Sequence, residues 1–338
     1  MNAFTLPVSP APLPLNLRRL RACALALTLL ACITAAQAFD LQAHRGGRGI
    51  APENTLAAFS QAMALGVDTL ELDVNLTADD VVVISHDTAL NAEHTRDAQG
   101  AWLAANGPPI RSLTLAQLQT FDVGRLNPAT KYGQQFARQV PRDGERIPTL
   151  AALFEQVRAR PASTVRFNIE TKLDPAKPGD SASPEAMVRA LLAEIDRAGM
   201  ASRVTVQSFD WRTLAWVGQL APQLPRAYLT SPRTVRDSRW TAGIDGSTFA
   251  SVPLLVKAAA GPSRAPVTWS PSFNDVTPAL VKEAHALGLT VLPWTVNQRA
   301  DMARLIDAGV DGLITDDPDV LRDLMRERGM PLPPPTVR

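Results

Sequence analysis

The chain has 338 residues, 46% of them hydrophobic and 20% charged, enough for one large domain or two ordinary ones. Its formal net charge is +1. Arg18, Arg19 and Arg21 lie in the first 38 residues with no acid among them, so the remainder carries 31 of the 34 basic residues against 33 acidic ones. No basic stripe or aromatic-interleaved Lys/Arg run occurs, which argues against nucleic acid as a partner.

The amino terminus reads as a targeting leader. A basic stretch ending at Arg21 precedes an apolar run over 22–35, too short to span a bilayer. The small-residue pattern Ala36-Gln37-Ala38 then offers a cleavage site that would leave Phe39 first. A periplasmic or secreted location follows, with no stable membrane span in the mature chain. Lipid attachment at Cys32 and export through the Arg18-Arg19 pair are weaker matches. Both cysteines, Cys23 and Cys32, fall in the leader, so the mature chain has no disulfide, thiol nucleophile or cysteine metal ligand.

Beyond the leader, short β-branched runs alternate with helix-period segments. Strands are expected over 41–44, 69–74, 164–170, 204–207, 226–229, 267–270, 290–294 and 312–315. Helices are expected over 53–65, 150–159, 184–198, 210–219, 278–287, 299–307 and 319–328. Eight β/α alternations at this spacing predict an α/β fold, a TIM (β/α)8 barrel over 39–330, rather than an open doubly wound sheet. The rhythm breaks over about 76–146, read as an insertion after strand two. It holds a second apolar run at 81–85 and a short helix at 113–118. Residues 230–264, rich in Pro, Gly, Arg and Ser, show no clear helix. The Pro-rich tail 331–338 is expected to be extended or disordered.

The chemistry gathers between Ala43 and Asp87. Glu71 and Asp73 alternate with Leu70, Leu72 and Val74, so both acids share one strand face. On an exposed strand such a pair is ordinary. On the inward face of a barrel two adjacent carboxylates call for a divalent cation or a shared proton. Glu170 and Lys172 repeat the spacing at the end of the next strand, adding a third oxygen ligand and a positive charge. His44 and His86 are candidate acid–base groups, with Asp87 placed to orient His86. Arg45 offers a planar fork for phosphate oxygens, and the run Gly46-Gly47-Arg48-Gly49 could aim backbone N–H groups at an anion. Gln207 and Trp294 follow strands and so fall at the carboxyl-terminal rim, as a donor to substrate oxygens and an apolar wall; core packing is the simpler alternative for each. His94 and His285 read as structural or surface residues.

These motifs resemble the signature of the glycerophosphodiester phosphodiesterases. The match comprises His44-Arg45-Gly46, Pro52-Glu53-Asn54-Thr55, Glu71-Leu72-Asp73-Val74, Thr77 and His86-Asp87. It continues through Ile169-Glu170-Thr171-Lys172, Gln207-Ser208-Phe209, Trp294-Thr295-Val296-Asn297 and the run ending in Asp316. The resemblance implies a TIM barrel with an insertion after strand two. It implies a divalent metal, calcium or magnesium, on Glu71, Asp73 and Glu170, an acid–base pair of His44 and His86, and phosphate neutralisation by Arg45 and Lys172. The chain departs from the family pattern at Asp80, where glycine is common, in the glycine-rich loop after Arg45, and in the segment after His86.

The expected activity is metal-dependent hydrolysis of a small-molecule glycerophosphodiester to glycerol 3-phosphate and an alcohol. A phospholipase D-like activity on lysophospholipids or sphingolipids could use the same groups, given an apolar 230–264 segment. A non-catalytic phosphodiester-binding protein is the alternative of another class; two proton carriers argue against it.

Overall fold

The computed structural model describes Met1 and residues 39–160 and 162–336. The expected leader, including Cys23 and Cys32, lies outside the described residues.

Eight parallel strands are each followed by a helix. The pairs are β1 Asp40–Ala43 with α1 Leu56–Leu65, β2 Thr69–Leu76 with α2 Leu150–Arg158, and β3 Arg166–Thr171 with α3 Pro184–Ala198. Next come β4 Val204–Ser208 with α4 Trp211–Leu220, β5 Arg226–Thr230 with α5 Val252–Ala260, and β6 Val267–Pro271 with α6 Pro278–Ala286. Last are β7 Thr290–Val291 with α7 Arg299–Asp307, and β8 Gly312–Thr315 with α8 Pro318–Glu327. The ladder runs from β7 down to β1 and on to β8. Backbone hydrogen bonds bridge the remaining gap: Asp311 N–H to Val291 O at 3.0 Å, Ile314 N–H to Pro293 O at 3.0 Å and Val296 N–H to Ile314 O at 2.9 Å. This is the TIM barrel that the alternation predicts.

Strand alternation and register position the site. Leu70, Leu72 and Val74 are buried in the main hydrophobic core together with Phe59, Phe154, Phe167 and Ile169. Each such side chain contributes about 1.5–3 kcal/mol by leaving water. The opposite face of β2 carries Glu71 and Asp73. The parallel register sets Asp73 beside Glu170 and Glu170 beside Gln207, bringing residues far apart in sequence to one end of the barrel.

Two elements differ from the sequence reading. Segment 230–264 contains the nine-residue helix α5, whose amino terminus is capped by the Ser251 hydroxyl accepting from Leu254 N–H, with Pro253 in the first turn. The polar, proline-rich flank masks this signal, although Ser before Pro is a helix start. Strand β7 was expected over 290–294, but its regular pairing ends at Val291. Pro293 has no N–H to donate, yet the chain stays in register through Leu292 N–H to Trp269 O and Trp294 N–H to Pro271 O, both 3.0 Å.

The run after β2 folds back as a short antiparallel strand, Val82–Ile84, pairing Val74 with Ile84 and Leu76 with Val82. Asp80 makes that turn with φ of 58°, which accounts for glycine at this place in the family pattern. The rest of the insertion builds a small core of Val83, Leu90, Ile110, Leu118, Val123 and Ile147. The tail is extended and docked through 336: Arg322 Nη1 donates to Pro333 O at 2.7 Å, and Thr336 N–H to Met63 O at 2.8 Å. Among the described residues, no helix is long and apolar enough to cross a membrane.

Candidate active site

At the carboxyl-terminal mouth of the barrel lies an open cavity of roughly 150 Å³. His44, Arg45, Glu71, His86, Glu170, Lys172, Gln207 and Trp294 all line it, with Arg48 and Phe209 among the other wall residues. Asp73 sits just beneath. Ligand oxygens of Glu71, Asp73 and Glu170 lie within 4.8 Å of one another, all three residues being buried.

The loop after β1 is bent to serve this mouth. Arg45 adopts a left-handed backbone, φ 52° and ψ 33°, an uncommon conformation for a side-chain-bearing residue. The bend turns its N–H onto Glu71 Oε2 at 2.9 Å and sets its guanidinium 2.7 Å from Glu53 Oε1 and 3.4 Å from Asp73 Oδ2. Asn54, also left-handed, donates to Asp73 Oδ2 at 3.0 Å. The glycine-rich run does not present free N–H groups to an anion, contrary to the sequence reading. Gly47 and Arg48 donate to His44 O, and Gly49 donates to Asp316 O at 2.9 Å. Gly49 is there because a Cβ would stand 2.3 Å from Asp317 Oδ1.

Each histidine has an aspartate on its Nδ1, leaving Nε2 for the cavity. His44 Nδ1 is 2.5 Å from Asp316 Oδ1, with its Nε2 3.9 Å from Glu71 Oε2. His86 Nδ1 is 3.0 Å from Asp87 Oδ1, and Asn91 fixes Asp87 Oδ2 at 2.8 Å. Burial, aided by Arg48 and Arg45, holds His44 down at about 4 despite Asp316. Burial and then Lys172 lower His86 as well. Both imidazoles are therefore neutral near pH 7.

The carboxylates divide. Burial, with Asp73 and Glu170 alongside, pushes Glu71 well above the usual carboxylate range. Burial raises Glu170 to about 7 even though Lys172 Nζ is 2.7 Å from its Oε1. Asp73 falls below its ordinary value because Lys172, His86 and Arg45 together outweigh burial. Its Oδ1 is buried without a hydrogen-bond partner, and Lys172 stands 3.6 Å away. Three hard oxygen donors converging on one point, one of them unsatisfied, suit a divalent cation.

Gln207 lines the cavity with its amide anchored: Nε2 donates to Glu71 Oε1 at 2.7 Å and Oε1 accepts from Asn168 at 3.0 Å. It holds a carboxylate in place with one of its two amide hydrogens. Trp294 anchors its indole N–H on Ser270 O at 3.0 Å and meets Phe209 edge to face, forming a wall. His94 is half-buried beside Asp87, and exposed His285 pairs with Asp311 at 2.9 Å.

Four residues that carry the site were given no role from sequence. Asp316 accepts from Arg48 Nε at 2.7 Å and from Asn297 Nδ2 at 2.6 Å besides facing His44. Tyr132, from the insertion, donates to Glu53 and accepts from Arg48 Nη1 at 3.0 Å. Asp316 and Asn297 closed motifs quoted above, so a signal existed for them; Arg48 was read only for its backbone, in the glycine-rich run, and nothing marks Tyr132.

A TIM barrel whose rim joins two histidines, an acidic triad and buried cations is the scaffold of a phosphate-ester enzyme. The family model of the glycerophosphoryl diester phosphodiesterases matches residues 44–320, and the chain belongs to that family of enzymes. A glycerophosphodiester phosphodiesterase of Caldanaerobacter subterraneus is 32% identical over 287 residues, 85% of this chain and 98% of that protein. A crystal structure from Silicibacter pomeroyi, assigned to the glycerophosphoryl diester phosphodiesterases, is 38% identical with a TM-score of 0.78, covering 87% of this chain and 95% of its own. The fold is shared with an Oleispira antarctica phosphodiesterase solved with its product sn-glycerol-3-phosphate, 23% identical with a TM-score of 0.61, covering 85% and 96% of the two chains.

Proposed function

We propose that this protein hydrolyses glycerophosphodiesters, the deacylated forms of phospholipids, to glycerol 3-phosphate and an alcohol. The observation that carries the reading is the convergence of two neutral histidines and two cations on one cavity above the Glu71, Asp73 and Glu170 triad. The product bound in the Oleispira antarctica phosphodiesterase of the same fold, sn-glycerol-3-phosphate, supports glycerol 3-phosphate as the product here.

Glu71, Asp73 and Glu170 would hold a calcium or magnesium ion, which suits hard carboxylate donors. When bound, it would offset the carboxylate charge, polarise the phosphate and make a nearby hydroxyl or water more acidic. Arg45 and Lys172 face the non-bridging oxygens and neutralise their charge. One histidine takes the nucleophile's proton at Nε2 as the new P–O bond forms. The other must first take up a solvent proton on its Nε2, and it gives that proton to the departing alcohol oxygen as the old P–O bond breaks, while the first returns its own to solvent. Asp316 and Asp87 hold the two imidazoles in the tautomer that exposes Nε2 to the cavity. The nucleophile is either water or the substrate's own glycerol hydroxyl, and a cyclic phosphate visible by phosphorus NMR separates the routes.

The phospholipase D-like reading needs an apolar groove in 230–264. That segment instead exposes Arg233, Arg236 and Arg239. The leader-like first 38 residues support a periplasmic or secreted enzyme, which a mature protein beginning at Phe39 would bear out. The deciding experiment measures glycerol 3-phosphate release from several glycerophosphodiesters with calcium or magnesium. No release from any of them would overturn the proposal.

A further inference from the structure

A second, larger cavity of roughly 380 Å³ opens beside the first. The two share His86, Glu170, Lys172, Phe209 and Trp294, so the outer cavity lies where an alcohol half can extend from a phosphate seated in the inner one. The outer wall is aromatic. Phe209 meets Trp294 and Trp240 edge to face, at centroid distances of 5.2 and 6.4 Å.

The charges around this cavity are mostly committed. Lys172 is paired with Glu170, and Asp87 is spent on His86 and Asn91. Asp174 holds the turn after β3, accepting from Ala176 N–H at 2.8 Å. Arg233 is different: among the described residues it makes no ion pair within 4.0 Å. The neighbouring Asp237 is engaged in two places by Arg239, at 2.9 Å and 2.6 Å. The Arg233 guanidinium instead lies over the Trp240 ring, 5.2 Å from its centroid. A guanidinium held on an aromatic face keeps its N–H edge available to an anion. The same contact disfavours a quaternary ammonium, since the Trp240 ring that would receive one already carries a cation.

We propose that the outer cavity receives the leaving alcohol and that Arg233, stacked on Trp240, selects alcohols bearing their own anionic group, a carboxylate or a second phosphate. This rests on the phosphodiesterase reading, which puts the scissile phosphate in the inner cavity.

The test compares kcat/KM for glycerophosphoserine, glycerophosphoglycerol and glycerophosphocholine in wild type, Arg233→Gln and Arg233→Glu. Arg233 is exposed, so both variants should fold, and circular dichroism checks this. The serine-to-glycerol ratio of kcat/KM should fall about five- to tenfold in Arg233→Gln, the loss of one charge-assisted contact. In Arg233→Glu it should fall further, and the choline-to-glycerol ratio should rise. Ratios within about twofold of wild type in both variants would overturn the subsite while leaving the phosphodiesterase reading intact. Wild-type protein that cleaves none of the three diesters would overturn that reading, and the subsite with it.

Discussion

His44 Nδ1 and Asp316 Oδ1 lie 2.5 Å apart across 272 residues of sequence. The contact exists because β1 and β8 pair in parallel, with Ala43 beside Thr315, so that the residues following each strand meet at the rim. Asp316 stays ionised, held well below its ordinary value by His44 and Arg48 in spite of burial. As an acceptor only, it fixes the proton of His44 on Nδ1 and frees Nε2. Asp316→Asn replaces that acceptor with an amide able to donate, which permits the wrong tautomer. We expect kcat to fall about 10²-fold with a much smaller change in KM. Steady-state kinetics, with a thermal melt to confirm folding, checks this; a kcat within about threefold of wild type would remove Asp316 from the mechanism.

Most of the barrel was legible because strand and helix periods are local signals. The proposed site was legible wherever its residues cluster in sequence, as Glu71 with Asp73 and His44 with Arg45 do. What was hidden depends on register or on irregular chain. Asp316 was legible only as the end of a motif, and only the β1–β8 pairing shows that it faces His44. Gln207 read only as a donor at a strand end; the β3–β4 register shows that its amide also ties Glu71 to Asn168. Tyr132 lies in an insertion with no periodicity, so nothing in the sequence aims it at Glu53.

The triad's ionisation predicts a proton signature for metal binding. Glu71 is raised well above the carboxylate range and Glu170 to about 7, so the metal-free triad holds at least part of a proton at neutral pH. A divalent cation must displace it. Calcium or magnesium binding should therefore release protons at pH 7 and tighten as pH rises. Calorimetry in two buffers of different ionisation enthalpy measures the number released; heats independent of buffer would contradict the protonated triad. Glu170→Gln should bind the ion more weakly by well over tenfold, roughly the loss of one charged ligand.

Glu53 links stability to acidity. Burial pushes its carboxyl up, but Arg45, His94 and Arg48 outweigh it and hold the group at about 2, below its ordinary 4.5. A depressed carboxylate stabilises the folded state above its unfolded value and loses that contribution as pH falls through the folded one. The relevant window is therefore pH 4.5 down to 2, and the contribution at neutral pH is on the order of 3 kcal/mol. Urea unfolding across that range should show wild-type stability falling with acid. Glu53→Gln should be less stable at pH 7, with a flatter decline through the window. Parallel curves for the two proteins would refute the linkage.

Tyr132 tests whether the insertion takes part in the site. Its hydroxyl joins Glu53 to Arg48, and Glu53 in turn holds Arg45, so one phenol from outside the barrel braces both guanidiniums of the His44 loop. Phe136 adds a face beneath Arg48, whose guanidinium carbon is 4.8 Å from the ring centroid. Tyr132→Phe keeps the ring and deletes only the hydroxyl. Glu53 then loses a donor while buried, a defect worth about 1–3 kcal/mol. Because Arg45 is proposed to hold the phosphate in ground and transition states alike, the kinetic signature should be a raised KM of about three- to tenfold with a smaller loss in kcat. Chemical denaturation and steady-state kinetics together decide it. A variant that loses stability yet keeps the wild-type KM would confine Tyr132 to holding the insertion on the barrel, with no bearing on substrate.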